Sequence, residues 1–310
     1  MASRETSFQL RPRALTIAGF DPSGGAGVLA DVRTFAAFGF QAAAVITSIT
    51  FQNTGRVFGA THQTREAVRA QVLPLLDESR FVCAKIGMLP TQEVILEVAR
   101  LFGEGNLPGP VVDPVIMSSS GQRLMEEDAL DSFVEELLPL AQLLTPNIPE
   151  AEALTRSTIT SEADMRRAAV TIRQLGARAV LIKGGHLKKQ EAGGRRQEAV
   201  SSEQWAASSG QLGGSPTAKE GSNTEVQDGS DDAIDVLDNE GRVTVFRERR
   251  VSGVELHGSG CILSAAIAAG LGRGMTLEDS VGEAKRFVLE AIRNSAHVTR
   301  TAGARQNDEN

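Results

Sequence analysis

The chain is 310 residues long, with 41% hydrophobic and 23% charged side chains and a formal net charge of −7. That balance fits a globular chain in water and excludes collagen-like, wholly disordered and membrane-spanning classes. The acidity argues against a broad nucleic-acid surface, which needs clustered Lys and Arg, and twelve Phe, one Trp and no Tyr offer little for stacking bases.

Two cysteines, Cys83 and Cys261, give no disulfide framework, so a reducing, cytoplasmic setting is expected. The first 12 residues are polar and lack the apolar run of a signal peptide. The longest apolar stretch, 261–271, is too short to span a bilayer, so no membrane partner is expected.

Along the chain, β-like apolar runs occur at 14–18, 43–51, 81–86, 111–115, 142–145 and 179–183. Helical period separates several of them. Residues 93–102 place Val94, Val98, Leu101 and Phe102 on one face, and 129–138 do the same with Leu130, Phe133, Val134, Leu137 and Leu138. Strand and helix in alternation predict an α/β fold with a mostly parallel sheet covered on both faces, and ligands beyond the C-terminal strand ends. Residues 188–232 break the pattern: seven Gly, seven Ser and only Val200, Leu212 and Val226 from the large aliphatic set predict a disordered, low-complexity insertion. After it, 234–237 and 242–246 flank Asp238-Asn239-Glu240-Gly241, a hairpin signal. Two helical stretches, 261–271 and 277–292, close the ordered part. The domain reading is one large α/β domain over 13–297, interrupted by the insertion, with flexible tails at 1–12 and 298–310.

The first β run ends in Gly19-Phe20-Asp21-Pro22-Ser23-Gly24-Gly25-Ala26-Gly27. Within it, Gly25-Ala26-Gly27-Val28-Leu29-Ala30 formally fits the dinucleotide fingerprint. That reading needs a carboxylate ending the second strand, where Thr50-Phe51-Gln52-Asn53 stands instead. A turn serving helix–sheet packing, and a turn presenting backbone N–H groups to a small ligand, remain as alternatives. No Gly-Lys pair exists, so a P-loop is excluded. A second cluster, His257-Gly258-Ser259-Gly260-Cys261, leads directly into an apolar helix, where free N–H groups and the helix dipole favour an anion. The four histidines lack the spacing of a zinc site.

Together these residues resemble the hydroxymethylpyrimidine/phosphomethylpyrimidine kinases of thiamine biosynthesis, within the ribokinase-like superfamily. The likeness spans about 14–292. It includes Asp21-Pro22-Ser23-Gly24-Gly25-Ala26-Gly27, Ala30-Asp31, Gln52-Asn53-Thr54, Lys85-Ile86-Gly87-Met88-Leu89 and Val112-Asp113-Pro114-Val115. It continues through Thr145-Pro146-Asn147, Pro149-Glu150-Ala151, Lys183-Gly184-Gly185-His186 and His257-Gly258 to Gly260-Cys261. Low-complexity insertions before the hairpin are familiar in fungal members.

The resemblance implies a three-layer α/β/α ribokinase-like fold and transfer of a phosphoryl group from ATP, with Mg²⁺, to a pyrimidine alcohol and its monophosphate. Gln52 would read the amino and ring-nitrogen edge of the substrate, with Gly19, Ala26, Asp31, Thr50, Met88 and Val115 shaping the pocket. Asp113 and Glu150 would hold Mg²⁺, largely through waters, and Lys183, Ser259, Gly260 and Asn147 would serve the nucleotide. Cys261 would be the general base, its thiol acidified at a helix N-terminus, with Gly258, Gly260 and Lys183 completing the catalytic set. Cys83 reads as a small core residue. The sequence departs from the family at Glu255-Leu256, where Asn-Thr is usual, at Ser259, where Thr is usual, and in a C-terminal Gly-rich segment that it lacks. The rival readings are a pyridoxal kinase on the same scaffold and a non-catalytic ligand-binding descendant. A small-molecule substrate is the expected partner, with a homodimer left open.

Overall fold

The computed structural model describes residues 11–118, 120–185, 232–251 and 256–306. One sheet runs through it. Its strands are β1 (Arg13–Phe20), β2 (Gln41–Gln52), β3 (Val57–His62), β4 (Cys83–Ile86), β5 (Val111–Val112), β6 (Leu143–Leu144), β7 (Ala179–Gly184), β8 (Asp232–Asn239) and β9 (Arg242–Arg249). Their spatial order is β3-β2-β1-β4-β5-β6-β7-β8-β9. The six strands from β2 across to β7 pair in parallel, while β3 at one edge and β8 and β9 at the other are antiparallel. Parallel neighbours need crossovers, and helices supply them.

Helices α1 (Gly27–Ala37), α7 (Ser259–Gly272) and α8 (Leu277–Gln306) pack on one face through Phe35, Leu263, Ile267 and Val281. The other face carries α2 (Arg65–Glu78), α3 (Gln92–Gly103), the short α4 (Ala129–Ser132), α5 (Ile148–Thr155) and α6 (Glu162–Gln174). Two apolar cores therefore sandwich the sheet, which is the three-layer α/β/α arrangement that the alternating pattern implies.

Differences from the sequence reading are local. The runs at 111–115 and 142–145 hold only two-residue strands, because Asp113-Pro114 and Thr145-Pro146 follow and proline has no N–H for a ladder. Helical period at 129–138 resolves into α4, then a π turn (Phe133–Leu137) and a 3₁₀ turn (Leu138–Leu140) that carries Pro139. The hairpin forms as expected: Glu240 and Gly241 at φ 53° and 92° make the left-handed pair that suits a two-residue link. Residues 188–231 of the expected insertion lie outside the described residues, as does Glu255, and Asp232 already opens β8. Helix α8 continues to Gln306, past the 277–292 stretch read from the sequence. Among the described residues no helix is long and apolar enough to cross a membrane.

Candidate active site

Because β1, β2, β4, β5, β6 and β7 run in parallel, their C-terminal ends share one edge of the sheet. Phe20, Gln52, Ile86, Val112, Leu144 and Gly184 end there, and the quoted motifs follow them. At this edge the two glycine-rich turns meet. A Cβ on Gly25 would stand 2.3 Å from the His257 ring, and one on Gly258 would stand 2.1 Å from the Gly25 carbonyl oxygen. Gly258 is also left-handed, at φ 78°. Only glycine permits both the conformation and the approach.

Asp21 ties this junction together. Its Oδ1 accepts from the Ser23 N–H (2.8 Å) and hydroxyl (2.7 Å). Its Oδ2 accepts from the Ala26 N–H (2.9 Å) and lies 3.0 Å from His257 Nε2. The Gln52 side chain lies near the same carboxylate and favours its charged form. Burial opposes the charge, yet these bonds hold the Asp21 carboxyl down at about 2.

Gly258 caps α7, so the N–H groups of Gly260 and Cys261 fall in the first turn, where no intrahelical acceptor is in reach. A Cβ on Gly260 would come within 3.1 Å of Lys183 Nζ and 3.7 Å of Asp113 Oδ2. Lys183, near the end of β7, donates to Asp113 Oδ1 at 2.7 Å, and the Thr145 hydroxyl donates to the same oxygen at 3.2 Å. Burial pushes Asp113 upward, but the Lys183 and Lys85 charges and these bonds bring it below the usual carboxylate range. Burial likewise works against the Lys183 charge, which the Asp113 and Glu150 carboxylates hold in place.

Glu150 sits in a capping box at the start of α5: its Oε2 accepts from the Asn147 N–H (2.8 Å), and the Asn147 side chain accepts from the Glu150 N–H (2.9 Å). Asn147 thus reaches the site as a helix cap, bridged to Lys183. Burial pushes Glu150 up to about 7; Lys183 pulls it back and Asp113 adds to the rise. Two carboxylates in mutual repulsion form a donor set that a divalent cation would relieve, with water and phosphate oxygens filling the rest of its shell.

Cys261 requires a correction. Its position at a helix N-terminus suggests an acidified thiol, but burial pushes that thiol up to about 11. Lys85 and the Gly27 N–H oppose the rise, while Asp113 and Asp31 reinforce it. The helix end is outweighed because surrounding protein desolvates the half-buried cysteine and two carboxylates add to the rise. The thiol is protonated at neutral pH in the ligand-free chain.

Of the pocket residues, Gly19, Thr50 and Met88 are buried and form a floor. Met88 Sδ lies 3.0 Å from the Cβ position of Gly19, and the Thr50 hydroxyl donates to the Phe20 carbonyl at 3.0 Å. Ala26, Gln52, Val115 and Ser259 are half-buried at the same edge. Asp31 differs from expectation. It is 0% exposed, both its oxygens accept from Lys85 Nζ (2.9 and 3.0 Å), and one also accepts from the Thr16 hydroxyl at 2.6 Å. No atom of it is open to a ligand. It anchors Lys85, whose cation Asp31 stabilises against burial.

Sequence reasoning gave no role to Asp21, His257, Lys85 or Thr145. A lysine inside the apolar run Cys83-Ala84-Lys85-Ile86 was itself a signal, since a buried cation demands a partner. Asp21-Pro22-Ser23 likewise has the form of a side-chain-closed turn.

The phosphomethylpyrimidine kinase profile matches residues 21–209 and 220–306. The chain belongs to that family. A hydroxymethylpyrimidine/phosphomethylpyrimidine kinase of Rhizobium meliloti (strain 1021) is 38% identical over 283 residues, 90% of each chain. The crystal structure of a family member, the phosphomethylpyrimidine kinase of Clostridium difficile 630, superposes with a TM-score of 0.69 at 33% identity, covering 91% of this chain and 100% of that one. The pyridoxal kinase of Staphylococcus aureus, solved with AMP-PCP and pyridoxal, gives a TM-score of 0.71 at 26% identity, covering 92% of this chain and 88% of that one. None of the three relatives is fungal. The kinase family and the ribokinase-like fold expected from the ordered motifs are thus both found.

Proposed function

We propose that the chain uses ATP to phosphorylate the hydroxymethyl oxygen of 4-amino-5-hydroxymethyl-2-methylpyrimidine, and then the monophosphate so formed. The observation that carries this reading is the meeting of the two glycine-rich turns. It sets the open first turn of α7, which carries Cys261, beside Lys183 and Asp113.

The roles follow from the chemistry of each group. Gln52 offers an acceptor and a donor to the aminopyrimidine edge. The N–H groups of Gly260 and Cys261 and the Lys183 ammonium face charge that builds on the transferring phosphoryl oxygens. Asp113 and Glu150 would hold Mg²⁺, which when bound supplies positive charge to the triphosphate and to the two carboxylates. Cys261 must be a thiolate to accept the hydroxymethyl proton, and the Lys85 ammonium and the Gly27 N–H are the groups that favour that form. As the new O–P bond forms, the bond from the γ-phosphorus to the β–γ bridging oxygen breaks, and the proton passes to Cys261 Sγ.

A small-molecule substrate in the cytoplasm, with neither nucleic acid nor membrane as partner, completes the reading. The net charge of −7 and two unpaired cysteines support it. A homodimer fits as well: Ile49, Phe51 and Phe58 leave an apolar face exposed at the β2–β3 edge.

The test is mass spectrometry of products from the pyrimidine alcohol, its monophosphate and pyridoxal, each with ATP and Mg²⁺. Mono- and diphosphorylated pyrimidine are expected from the wild type, pyridoxal phosphate only weakly, and no product from Cys261→Ala, which still binds the pyrimidine by calorimetry. Pyrimidine binding without ATP consumption by the wild type would instead support a non-catalytic descendant. Unchanged turnover by Cys261→Ala would remove the base role.

A further inference from the structure

We propose that the Asp21–His257 pair is a tether that fixes the start of α7 from outside the helix, and that His257 is thereby a positioning residue for phosphoryl transfer. It rests on the reading that the first-turn N–H groups of α7 face the transferred phosphoryl group. Helices α2, α3, α5, α6 and α8 each open on a Thr, Asn or Ser whose side-chain oxygen accepts an N–H of the first turn. Such a cap steadies the helix start, but it occupies a donor that a ligand could use. The N-caps of α1 and α7 are Ala26 and Gly258, which have no side-chain oxygen to offer. That leaves the first turn of α7 open to an anion, and its start in need of another hold.

Asp21 supplies it. Its Oδ1 accepts from the Ser23 N–H and hydroxyl at 2.8 and 2.7 Å, and its Oδ2 accepts at 2.9 Å from the N–H of Ala26, the N-cap of α1. His257, the residue before Gly258, brings Nε2 to 3.0 Å from the same Oδ2, across 236 positions of sequence. The carboxyl is held down at about 2 and is ionised, and an ionised carboxylate only accepts, so the proton of that contact sits on Nε2. One carboxylate therefore joins the starts of two helices without using a first-turn donor of α7. The Asp21 side chain is 3% exposed and that of His257 28%, so the bond is largely screened from water, where a charge-assisted hydrogen bond is strong. The ring is also wedged in place, since a Cβ on Gly25 would stand 2.3 Å from it. A slip of His257 would carry Gly258, Gly260 and Cys261 away from Lys183, whose Nζ lies 3.1 Å from the Cβ position of Gly260. Neither Asp21 nor His257 touches the reacting atoms in this scheme; both act through the helix start.

The experiment measures kcat, KM for the pyrimidine, melting curves and exchange of the Ile262 N–H by NMR. It compares wild type, His257→Leu, His257→Gln, Asp21→Ala and the double variant His257→Leu with Asp21→Ala. Ile262 donates to the Gly258 carbonyl at 3.0 Å, so its exchange reports on the helix start itself. Gln carries an N–H as many bonds from Cα as Nε2 of His, so it restores the contact, whereas Leu has no donor. His257→Leu should lower kcat by about 100-fold, the scale of a small misplacement at a reacting centre. Its KM should stay within about twofold, as when an interaction made only in the transition state is lost. Exchange at Ile262 should quicken about tenfold, the effect of losing one hydrogen bond to a charged group. His257→Gln should recover most of both losses. The double variant should be no worse than the poorer single one, because both changes remove the same bond. Wild-type kcat and exchange in His257→Leu, equal losses in His257→Leu and His257→Gln, or losses that multiply in the double variant would overturn the tether. A lowered Tm with kcat unchanged would make the pair a fold contact only and end the positioning role. If the wild type phosphorylates no ring alcohol at all, the functional reading fails, and the tether is decided by whether exchange quickens in His257→Leu and recovers in His257→Gln.

Discussion

Glu150 shows how one side chain carries two duties that only the folded chain exposes. As the third residue of α5 it closes a capping box, an assignment readable from Asn147-Ile148-Pro149-Glu150. As a neighbour of Asp113 it is buried, and its carboxyl rises from 4.5 to about 7. The sign of the stability effect follows. Between those values the folded chain holds the proton more tightly than the unfolded chain, so ionisation costs stability as pH climbs through the window, and the full cost is present above it. Glu150→Gln keeps the cap, because Gln also serves at that position, and removes the charge. In melts without nucleotide or Mg²⁺, the variant should exceed the wild type in Tm at pH 8 and match it at pH 4. A Tm below wild type at pH 8 would show that Glu150 contributes more as an ion than burial takes away. Cys261 teaches the complementary lesson: its place at a helix start was legible, but the neighbours that set its pKa come from β4, from the residue just after β5, and from α1.

At the scale of elements, the most restrictive device is the start of α7. Gly258 combines a φ of 78° with an approach of 2.1 Å between its Cβ position and the Gly25 carbonyl oxygen. Gly258→Ala should lose the left-handed term of about 1–2 kcal/mol and also force the two turns apart. Gly274 is the control, with a φ of 81° but no atom within 4 Å of its Cβ position. We expect Gly274→Ala to lower Tm modestly with turnover intact, and Gly258→Ala to lower Tm further and abolish turnover. Equal effects of the two on kcat would show that the junction is not needed. The strands β1, β4 and β7 were readable because continuous apolar runs mark strands buried on both faces, and β2 because its run is rich in β-branched residues although exposed positions alternate along it. Strand β3 was not, because Phe58, Thr61 and His62 are exposed at a sheet edge and Val57–His62 carries no buried pattern. The helix at 129–138 was readable as apolar period, but the period does not distinguish an α turn from the π and 3₁₀ turns that relieve it around Pro139.

For the whole molecule, the link from β7 to β8 is the feature that the sequence marks most plainly. The two strands pair antiparallel with Gly184 opposite Ile234, so their ends already stand side by side. We therefore propose that the kinase domain is continuous across this link and needs only a short connection. Replacing 188–231 by a six-residue Gly-Ser linker should leave turnover unchanged and raise stability by about 1–2 kcal/mol at most, the loop-closure entropy of the longer segment. Loss of turnover would assign the segment a part in the reaction. By itself, the sequence determined the α/β class, the parallel sheet, both glycine-rich turns and the family, because these rest on local spacing along the chain. Tertiary structure alone decided that Asp31 pairs with Lys85 beneath the site, that Asp21 meets His257, and that burial keeps the Cys261 thiol protonated. Those pairs join residues up to 236 positions apart in the chain, and their energies depend on what water is excluded, which no spacing of letters records.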